Sequence, residues 1–525
     1  MSRRRLVGWL VGAFITSLVN AVSHPIRVQA GINVSSILTQ SFVSFSIELS
    51  SFPDFAGNLS NPNTFSLNLL DNIGNLTGSK PIIRIGGNTQ DYALYDPDLP
   101  TALNGTYTNA SSDYPTILTI GKSFFESYLT WPDVQYIHGF NMASNTTASQ
   151  DTLLETAPLA CDVLSDGLEL ICPQMGNEPD LYKTSAQGIK RPSNWNESDY
   201  VAEWDEKTEL VKSVIDPNCS GYYTWVAPSF AGTNNSLSPV GVWQNALGRD
   251  NDIKEVSSHN YISGATSPGV TLQGTLMNHT RTVESIDAQL QLAAILTQLG
   301  IPFFLGETNS LYNEGAPGLS DSFGAALWGV DFNLWCAAND IERVHMHQGT
   351  NYRYNAWQPV TTSKATKGTK APYYGSIGAA AVLGNSVVHN IQIANVPLTD
   401  AREAAYVVFE DGILARLAVI NMMQYNYTNP NGSINTEPRP SKTYSFTFGP
   451  TGKTSVRIQR LIANGSDSIS GITMDGRSYN YELDQGRPVI LNNITTGERA
   501  AVSSNGSVSF DVPWSSMGIL TFEEA

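Results

Sequence analysis

From about residue 43 onward, short apolar runs rich in β-branched and aromatic residues alternate with longer stretches of helical spacing, the pattern of parallel βα units. Eight runs qualify as strands: Val43–Glu48, Pro81–Gly86, Tyr136–Met142, Leu168–Met175, Gly221–Ala227, Glu255–Asn260, Pro302–Gly306 and Arg343–His347. The intervening helical spacing is clearest from Ser285 to Leu299, where Ile286, Leu290, Ala293, Ala294 and Leu296 or Thr297 recur on one face. Gly300 stops that helix and Pro302 opens the next strand. Eight such units, spread over about 320 residues, predict a (β/α)8 TIM barrel with decorated loops across residues 43–365.

Beyond residue 370 the texture changes to strand-like runs at Val387–Ala394, Ala404–Glu410, Ile413–Asn421, Thr443–Phe448, Ser455–Ile462 and Ser507–Val512. Asp411-Gly412 between two of these runs is a strong two-residue hairpin signal. The fold expected is therefore α/β: the barrel followed by a C-terminal antiparallel β-sandwich over 370–525, to which the β-like segment 24–42 is expected to add a strand.

Arg3, Arg4 and Arg5, an apolar stretch from Leu6 to Val19 and the small residues Ala21-Val22-Ser23 read as an export signal spanning 1–23. As a membrane anchor the apolar stretch is too short, since a spanning helix needs about 20 such residues. Fifteen Asn-X-Ser/Thr sequons, from Asn33 to Asn505, point the same way, toward a secreted, extracellular glycoprotein. The 525 residues carry 47 acidic and 30 basic side chains, a formal charge of −17, and that surface repels phosphate backbones and anionic membranes. Neither nucleic acid nor membrane is expected as a partner. Four cysteines permit three pairings; Cys161 with Cys172 closes the shortest loop and is the pairing expected first. No CxxC pair suggests zinc.

In such barrels the polar residues at the C-terminal strand ends face the active site. Two carboxylates stand there: Glu178, in Gly176-Asn177-Glu178-Pro179 after the fourth strand, and Glu307, in Gly306-Glu307-Thr308-Asn309 after the seventh. Strands four and seven lie across a closed eight-stranded barrel, which sets the two acids over a common space. Glycoside hydrolysis needs such a pair, one carboxyl to protonate the departing oxygen and one to act at the anomeric carbon. The alternative is that either is an ordinary loop acid, as most of the 47 are.

Taken in order, Ser46-Ile47-Glu48-Leu49, Arg84-Ile85-Gly86-Gly87-Asn88, Gly176-Asn177-Glu178-Pro179-Asp180, His259-Asn260-Tyr261 and Gly306-Glu307-Thr308-Asn309 resemble the β-glucuronidases of glycoside hydrolase family 79, to which heparanase also belongs. The resemblance covers the chain from about residue 26 to its end. It implies that Glu178 is the acid/base, that Glu307 is the nucleophile and that anomeric configuration is retained. It further implies that Asn177 hydrogen-bonds the 2-hydroxyl and that Tyr261 donates to Glu307. Arg84 is implied to supply positive charge beside Glu307, and Glu48 to accept from sugar hydroxyls, although either could instead brace the barrel. A glucuronate carboxylate needs donors of its own, and Tyr312, the backbone amides around Asn313, and Tyr352 or Tyr354 are the candidates. Sugar stacking is the competing role for the loop Tyr352-Arg353-Tyr354-Asn355-Ala356-Trp357.

His345 and His347 share a strand face like a metal pair, but nothing nearby supplies a third ligand; neither metal nor cofactor is expected. The substrate expected is an oligo- or polysaccharide bearing glucuronic acid or its 4-O-methyl form. Exo-cleavage is preferred, because the lysine and arginine runs that an endo-acting, heparanase-like cleft would use on sulfated chains are absent. Another retaining glycosidase, such as an arabinofuranosidase or glucosylceramidase, and a non-catalytic glycan-binding protein are the other readings.

Overall fold

The computed structural model describes residues 25–28, 31–165, 172–184, 188–215, 219 and 224–522. The expected leader, residues 168–171 and 221–223 of two expected strands, and Asn218 lie outside the described residues. All eight barrel strands form: β1 (Val43–Glu48), β2 (Ile83–Gly86), β3 (Tyr136–Phe140), β4 (Gln174–Met175), β5 (Trp225–Phe230), β6 (Ile253–Gly264), β7 (Phe303–Tyr312) and β8 (Val344–Gln348). Each pairs in parallel with the next and β8 with β1, closing the barrel. Covered outside by helices and inside by packed side chains, such strands are buried on both faces. Every residue of β1, β2, β3, β7 up to Leu311, and β8 is buried accordingly. The floor of the barrel is apolar, filled by Ile82, Ile137, Cys172, Val226 and Phe304.

The connecting helices are α1 (Thr64–Thr77), α2 (Thr147–Ser165), α3 (Glu197–Val214), α4 (Pro239–Gln244), α5 (His279–Leu296), α6 (Phe323–Ala338) and α7 (Ala371–Leu383), with a 3-10 helix, Lys122–Thr130, serving after β2. The helix read from Ser285 begins earlier, where Asn278 accepts from the Arg281 amide as an N-cap. It ends through a 3-10 turn at Gly300, whose φ is 74°. The last of these, α7, falls in the part assigned by sequence to the β-sandwich, beyond the expected barrel limit of 365. It is buried on nearly every side, so no amphipathic stripe marks it. A β-carbon on Gly375 would lie 2.7 Å from the Ala326 carbonyl oxygen, and glycine there lets α7 press against α6.

The C-terminal strands are β9 (Ile391–Asn395), β10 (Glu403–Glu410), β11 (Ile413–Asn421), β12 (Ser441–Thr447), β13 (Ser455–Ile462), β14 (Ser507–Pro513) and β15 (Ser516–Thr521). β15, unrecognised in the sequence, pairs with both β11 and β13 at the centre of the larger sheet. Asp411 and Gly412 both have positive φ, 51° and 80°, as the tight turn between β10 and β11 requires. The smaller sheet holds β12, β14 and the strand Ile26–Arg27, which runs parallel to β12 with Ile26 opposite Phe446. The larger sheet is covered on both faces. Ala405, Val407, Leu417, Val419 and Leu520 meet Phe446 and Phe510 of the smaller sheet. Ala404, Tyr406, Ala418, Ile420 and Ile519 join the barrel's own core.

The expected Cys161–Cys172 pairing does not form. Cys161, on α2, pairs with Cys219, Cα atoms 5.9 Å apart, while Cys172 faces the barrel interior beside Thr224, with the strand wall between it and α2. Closing the 58-residue separation restricts the unfolded chain by about 4 kcal/mol in the chain-entropy account.

Where the barrel helices meet the larger sheet, His279 Nδ1 lies 2.9 Å from Asp331 Oδ1, which also accepts from the Tyr406 hydroxyl at 2.7 Å. Burial opposes charge on His279, but the adjacent Asp331 carboxylate outweighs it and raises the imidazole pKa. A raised pKa means this contribution to stability is complete below about 6.5 and is lost as pH climbs through the higher folded value. His279→Gln should therefore lower the melting temperature more at about pH 5.5 than at about pH 8.5, values on either side of the imidazole range. Equal losses in thermal melts at both pH values would show that the ion pair does not hold the two parts together.

Candidate active site

Strand parity decides what the barrel mouth contains. On β1, Phe45 and Ile47 face the helices, leaving Ser44, Ser46 and Glu48 for the interior; on β2, Arg84 points in between Ile83 and Ile85. On β7, Phe304 points inward and Leu305 outward, so regular alternation would turn Glu307 toward the helices. A bulge prevents this: β7 gains a residue against β6 between Leu305, opposite Ser258, and Glu307, opposite His259. The extra residue is Gly306, where a β-carbon would collide with Ser257 Oγ. Glu307 is thereby delivered to the mouth.

Its two carboxylate oxygens are held separately. Arg84 Nη1 donates to Oε2 at 2.9 Å and the Tyr261 hydroxyl donates to Oε1 at 2.9 Å. His347 Nδ1 and His259 Nδ1 stand 3.7 and 4.0 Å from Oε2. Burial alone would raise the pKa of Glu307, but His347, His259, Arg84 and the Tyr261 hydrogen bond together hold it well below the usual carboxylate range. His259 itself is pushed down to about 3 by burial and is neutral at ordinary pH, so the operative charges are those of Arg84 and His347. Burial works against charge on His347 too, but Glu307 and Glu48 overcome it and raise its pKa.

Arg84 is fully buried and organises both sides of the mouth. Its Nε donates to Gln174 Oε1 at 2.7 Å, Nη1 also to Ser46 Oγ at 2.8 Å, and Nη2 to Asn177 Oδ1 at 2.7 Å. Asn177 Nδ2 donates to Asn88 Oδ1 at 3.2 Å, and its backbone amide donates to Asp91 Oδ2. Asp91 also accepts from the Tyr182 hydroxyl and the Met142 amide, which ties the ends of β2, β3 and β4 together; burial pushes its carboxyl up to about 6.

Glu178 follows directly, in the left-handed region at φ 50°, ψ 51°, after Gly176 at φ 79°. That conformation costs a residue with a β-carbon about 1–2 kcal/mol, and it is held by the amide of Glu178 donating to Ser229 O at 3.0 Å and by Pro179 beginning the next turn. The carboxylate is buried, with Oε1 2.9 Å from His259 Nδ1. Asp180 beyond it accepts from the Ala231 amide and Asn235 Nδ2, and burial pushes it up to about 7. One carboxylate oxygen of Glu178, one of Glu307 and a ring nitrogen of His259 lie within 4.8 Å of one another. Those three could ligate a metal, but the Arg84 guanidinium already supplies the local positive charge.

Of the residues anticipated from sequence, Glu178, Glu307, Asn177, Tyr261 and Arg84 converge on one space. Tyr354 joins them, its hydroxyl bonded to that of Tyr261. Glu48 does not present itself to a ligand: Oε1 accepts from the Thr89 amide and hydroxyl, and Oε2 from the Tyr352 hydroxyl at 3.2 Å, with His347 at 3.4 Å. It braces the mouth, because four protein donors surround a carboxylate only 2% exposed. Tyr312 stands at the rim, 46% exposed, at the end of a strand that runs on past Glu307 where a loop was expected. Its ring packs edge-on to Tyr261 and against Gly264.

His345 and His347 do not converge. His345 turns to the Phe45 carbonyl and the Phe304 ring, while His347 sits between Ser46 and Glu48. Sequence reasoning passed over Ser46, Asp91, Gln174 and His259 as functional residues. Ser46 and His259 lay inside the motifs quoted for the resemblance, and inward parity beside Glu48 and Tyr261 would have marked both.

The arrangement holds one carboxylate ionised against a guanidinium and another beside a neutral imidazole, facing a shared space, as a nucleophile and a proton donor require. Residues 405–519 match the description "Glycosyl hydrolase family 79 C-terminal beta domain". A β-glucuronidase of Aspergillus niger is 54% identical over 492 residues, spanning 91% of this chain and 90% of that protein. A β-glucuronidase of Neurospora crassa is 48% identical and spans 96% of each. The crystal structure of a 4-O-α-L-rhamnosyl-β-D-glucuronidase from Fusarium oxysporum superposes with a TM-score of 0.77 at 26% identity, covering 95% of this chain and 99% of that one. A family 51 α-L-arabinofuranosidase from Bifidobacterium longum, 14% identical with a TM-score of 0.61 over 95% of this chain and 99% of that one, shares the fold. By relatives of that closeness over nearly the full length of both chains, this chain belongs to glycoside hydrolase family 79.

Proposed function

We propose that the chain is a secreted, retaining β-glucuronidase that removes terminal glucuronic acid, or its 4-O-methyl form, from glycans. The observation that carries the retaining reading is the approach of Glu178 and Glu307, with carboxylate oxygens within 4.8 Å. Retaining pairs stand about 5–5.5 Å apart, whereas inverting pairs leave about 6.5–9.5 Å for a water molecule. Glu307, ionised beside Arg84, attacks the anomeric carbon as Glu178 gives its proton to the departing glycosidic oxygen. Glu178 then takes a proton from water, and that water cleaves the glycosyl ester from the opposite side. Two inversions return the β-configuration.

The β-glucuronidase names of the Aspergillus and Neurospora relatives support glucuronate as the sugar. The turn after β7 supports it independently. Asn313, Glu314 and Gly315 all have positive φ, 61°, 56° and 79°. Arg353 holds their three carbonyls through its amide, Nε and Nη2. Backbone amides of such a turn suit an anion; the Gly315 amide is already given to Leu311 O, which leaves that role to the amides before it, and Tyr312 precedes them at the exposed rim. Glu314 does not oppose that charge in acid, because burial, reinforced by Asp113, pushes its carboxyl up to about 7.

Exo-action is supported by the hairpin Leu103–Thr106 and Ile117–Ile120 after β2, whose connecting segment crosses to the β8 side. There Asp113 meets Arg353 Nη1 at 2.9 Å and Lys364 Nζ at 3.3 Å, and Tyr114 bonds Asn88. This arm walls off one end of the mouth. Secretion is supported by the basic and apolar residues of 1–23 and by the Cys161–Cys219 disulfide.

Proton NMR of aryl β-glucuronide hydrolysis should show β-glucuronic acid as the first product, appearing before mutarotation; an initial α-anomer would refute double displacement. Arg84→Lys keeps a charge but cannot hold Gln174, Ser46, Asn177 and Glu307 together, so kcat/KM should fall by about a hundredfold or more. The acid limb of its pH profile should also move upward as Glu307 loses its fixed partner. A loss with that limb unmoved would reduce Arg84 to a packing role. Tyr312→Phe removes one hydroxyl and leaves the ring, and should cost about tenfold in kcat/KM on an aryl glucuronide, the scale of one charge-assisted hydrogen bond. The matching aryl glucoside should change much less; equal losses on both would remove Tyr312 from carboxylate recognition.

A further inference from the structure

The sequons divide from the other asparagines in a way that the fold makes visible. Fourteen of the fifteen lie within the described residues, and none of those fourteen asparagines is buried. Ten of the remaining described asparagines are, among them Asn63, Asn177 and Asn421. The division is sharper at a single atom. Fifteen asparagines outside sequons donate a hydrogen bond through Nδ2. No described sequon asparagine does so to a described residue.

Neighbouring residues show the same contrast under identical local conditions. Asn235 sends Nδ2 to Asp180 at 2.7 Å, whereas Asn234, one residue earlier, equally exposed and in a sequon, sends Nδ2 to no described residue. In the loop after β11, Asn429 and Asn435, outside sequons, donate through Nδ2, whereas Asn426 and Asn431, in sequons, use only Oδ1. Asn196 and Asn278, likewise in sequons, cap α3 and α5 by accepting from backbone amides at Oδ1. A backbone N–H can only donate, so these amides are fixed with Nδ2 turned away from the protein.

We propose that these asparagines carry N-linked oligosaccharides, and that those on the barrel form a collar on its catalytic face; the proposal rests on the chain entering the secretory pathway. A sugar on Nδ2 can be neither buried nor replaced by a protein acceptor, which is the condition all fourteen meet. The donor is a lipid-diphosphate-linked oligosaccharide with N-acetylglucosamine at its reducing end. The bond from Nδ2 to the anomeric carbon forms as the bond from that carbon to the diphosphate breaks, Nδ2 loses one proton, and the lipid diphosphate leaves.

Position gives the collar its form. Each connection leaving the C-terminal ends of β1 to β6 holds at least one sequon: Asn58, Asn104 and Asn109, Asn145, Asn196, Asn234 and Asn278 respectively. The connections leaving β7 and β8, which carry the Asn313–Gly315 turn and Tyr352 to Tyr354, hold none. The collar is therefore open on the side where glucuronate would be gripped.

The test uses the full chain in a eukaryotic secretory host, once with its own residues 1–23 and once with these replaced by a leader of proven function. Protein from the second form is treated with peptide-N-glycosidase in 18O water and mapped by mass spectrometry, so that each occupied asparagine returns as 18O-labelled aspartate. Label is expected at most of the seven collar positions and none at Asn235, Asn429 or Asn435. Unlabelled peptides at the collar, with an intact mass unchanged by the enzyme, would overturn the proposal while leaving secretion standing. If the leader-swapped form is labelled but the native-leader form stays in the cell without sugar, the glycan sites hold and the secretion reading fails.

Discussion

A guanidinium sealed inside a barrel must be neutralised and hydrogen-bonded where it stands, because an unpaired buried charge costs several kcal/mol. Arg84 has no exposed surface, and the upper interior is arranged around that demand. Four of its N–H groups are taken by side chains from three other strands or their ends: Ser46 on β1, Gln174 and Asn177 at β4, and Glu307 on β7. The same bonds fix chemistry, since the carboxylate that neutralises Arg84 is thereby kept ionised, and the amide that accepts from it is aimed. Beyond these, Ser46 passes the network to His347, His347 to Glu48, and Glu48 to Thr89 and Tyr352. Stability of the barrel mouth and readiness of Glu307 are one electrostatic problem with one solution.

Much of this architecture is legible in the sequence, and the failures have physical causes. The eight barrel strands are legible as short runs rich in β-branched and aromatic residues even where Ser46, Arg84 or His347 points inward, and the two acids are conspicuous because each stands at the end of such a run. Helix α7 is hidden for the complementary reason: packed on every side, it shows no polar stripe, and Gly375 reads as a breaker when it is a contact surface. The disulfide was misjudged because loop length says nothing about which side of a strand a thiol faces. The direction of Glu307 could not be read either, since simple alternation after Phe304 turns it outward and only the bulge at Gly306 brings it in. Glu48 shows the limit of motif reasoning; its place at a strand end is apparent from sequence, while its occupation by Thr89, Tyr352 and His347 depends on β8 and on the connections after β2 and β8.

The β-domain is less an appendage than a second wall of the barrel. Its larger sheet presents Ala404, Tyr406, Ala418, Ile420 and Ile519 to the barrel core and a different set to the smaller sheet. Burying a residue such as Ile or Leu stabilises by about 1.5–3 kcal/mol, so exposing that face of the sheet would cost a large share of the net stability of most single domains, about 5–15 kcal/mol. The buried Asp331, reached by Tyr406 from the sheet and by His279 from the barrel, adds a polar requirement that only the joined structure meets.

The spacing of these partners along the chain sets a timetable for biosynthesis. Ile26 pairs opposite Phe446, and Arg84 is neutralised by a carboxylate 223 residues downstream. At about 5–20 residues per second, a ribosome that has released the first strand needs on the order of 20–80 s to deliver its partner. Throughout that interval the nascent chain holds an unpaired strand edge and an open barrel. A half-made chain also contains Arg84 without Glu307, so collapse of the interior is disfavoured until that carboxylate has emerged, and the fold closes on its arrival.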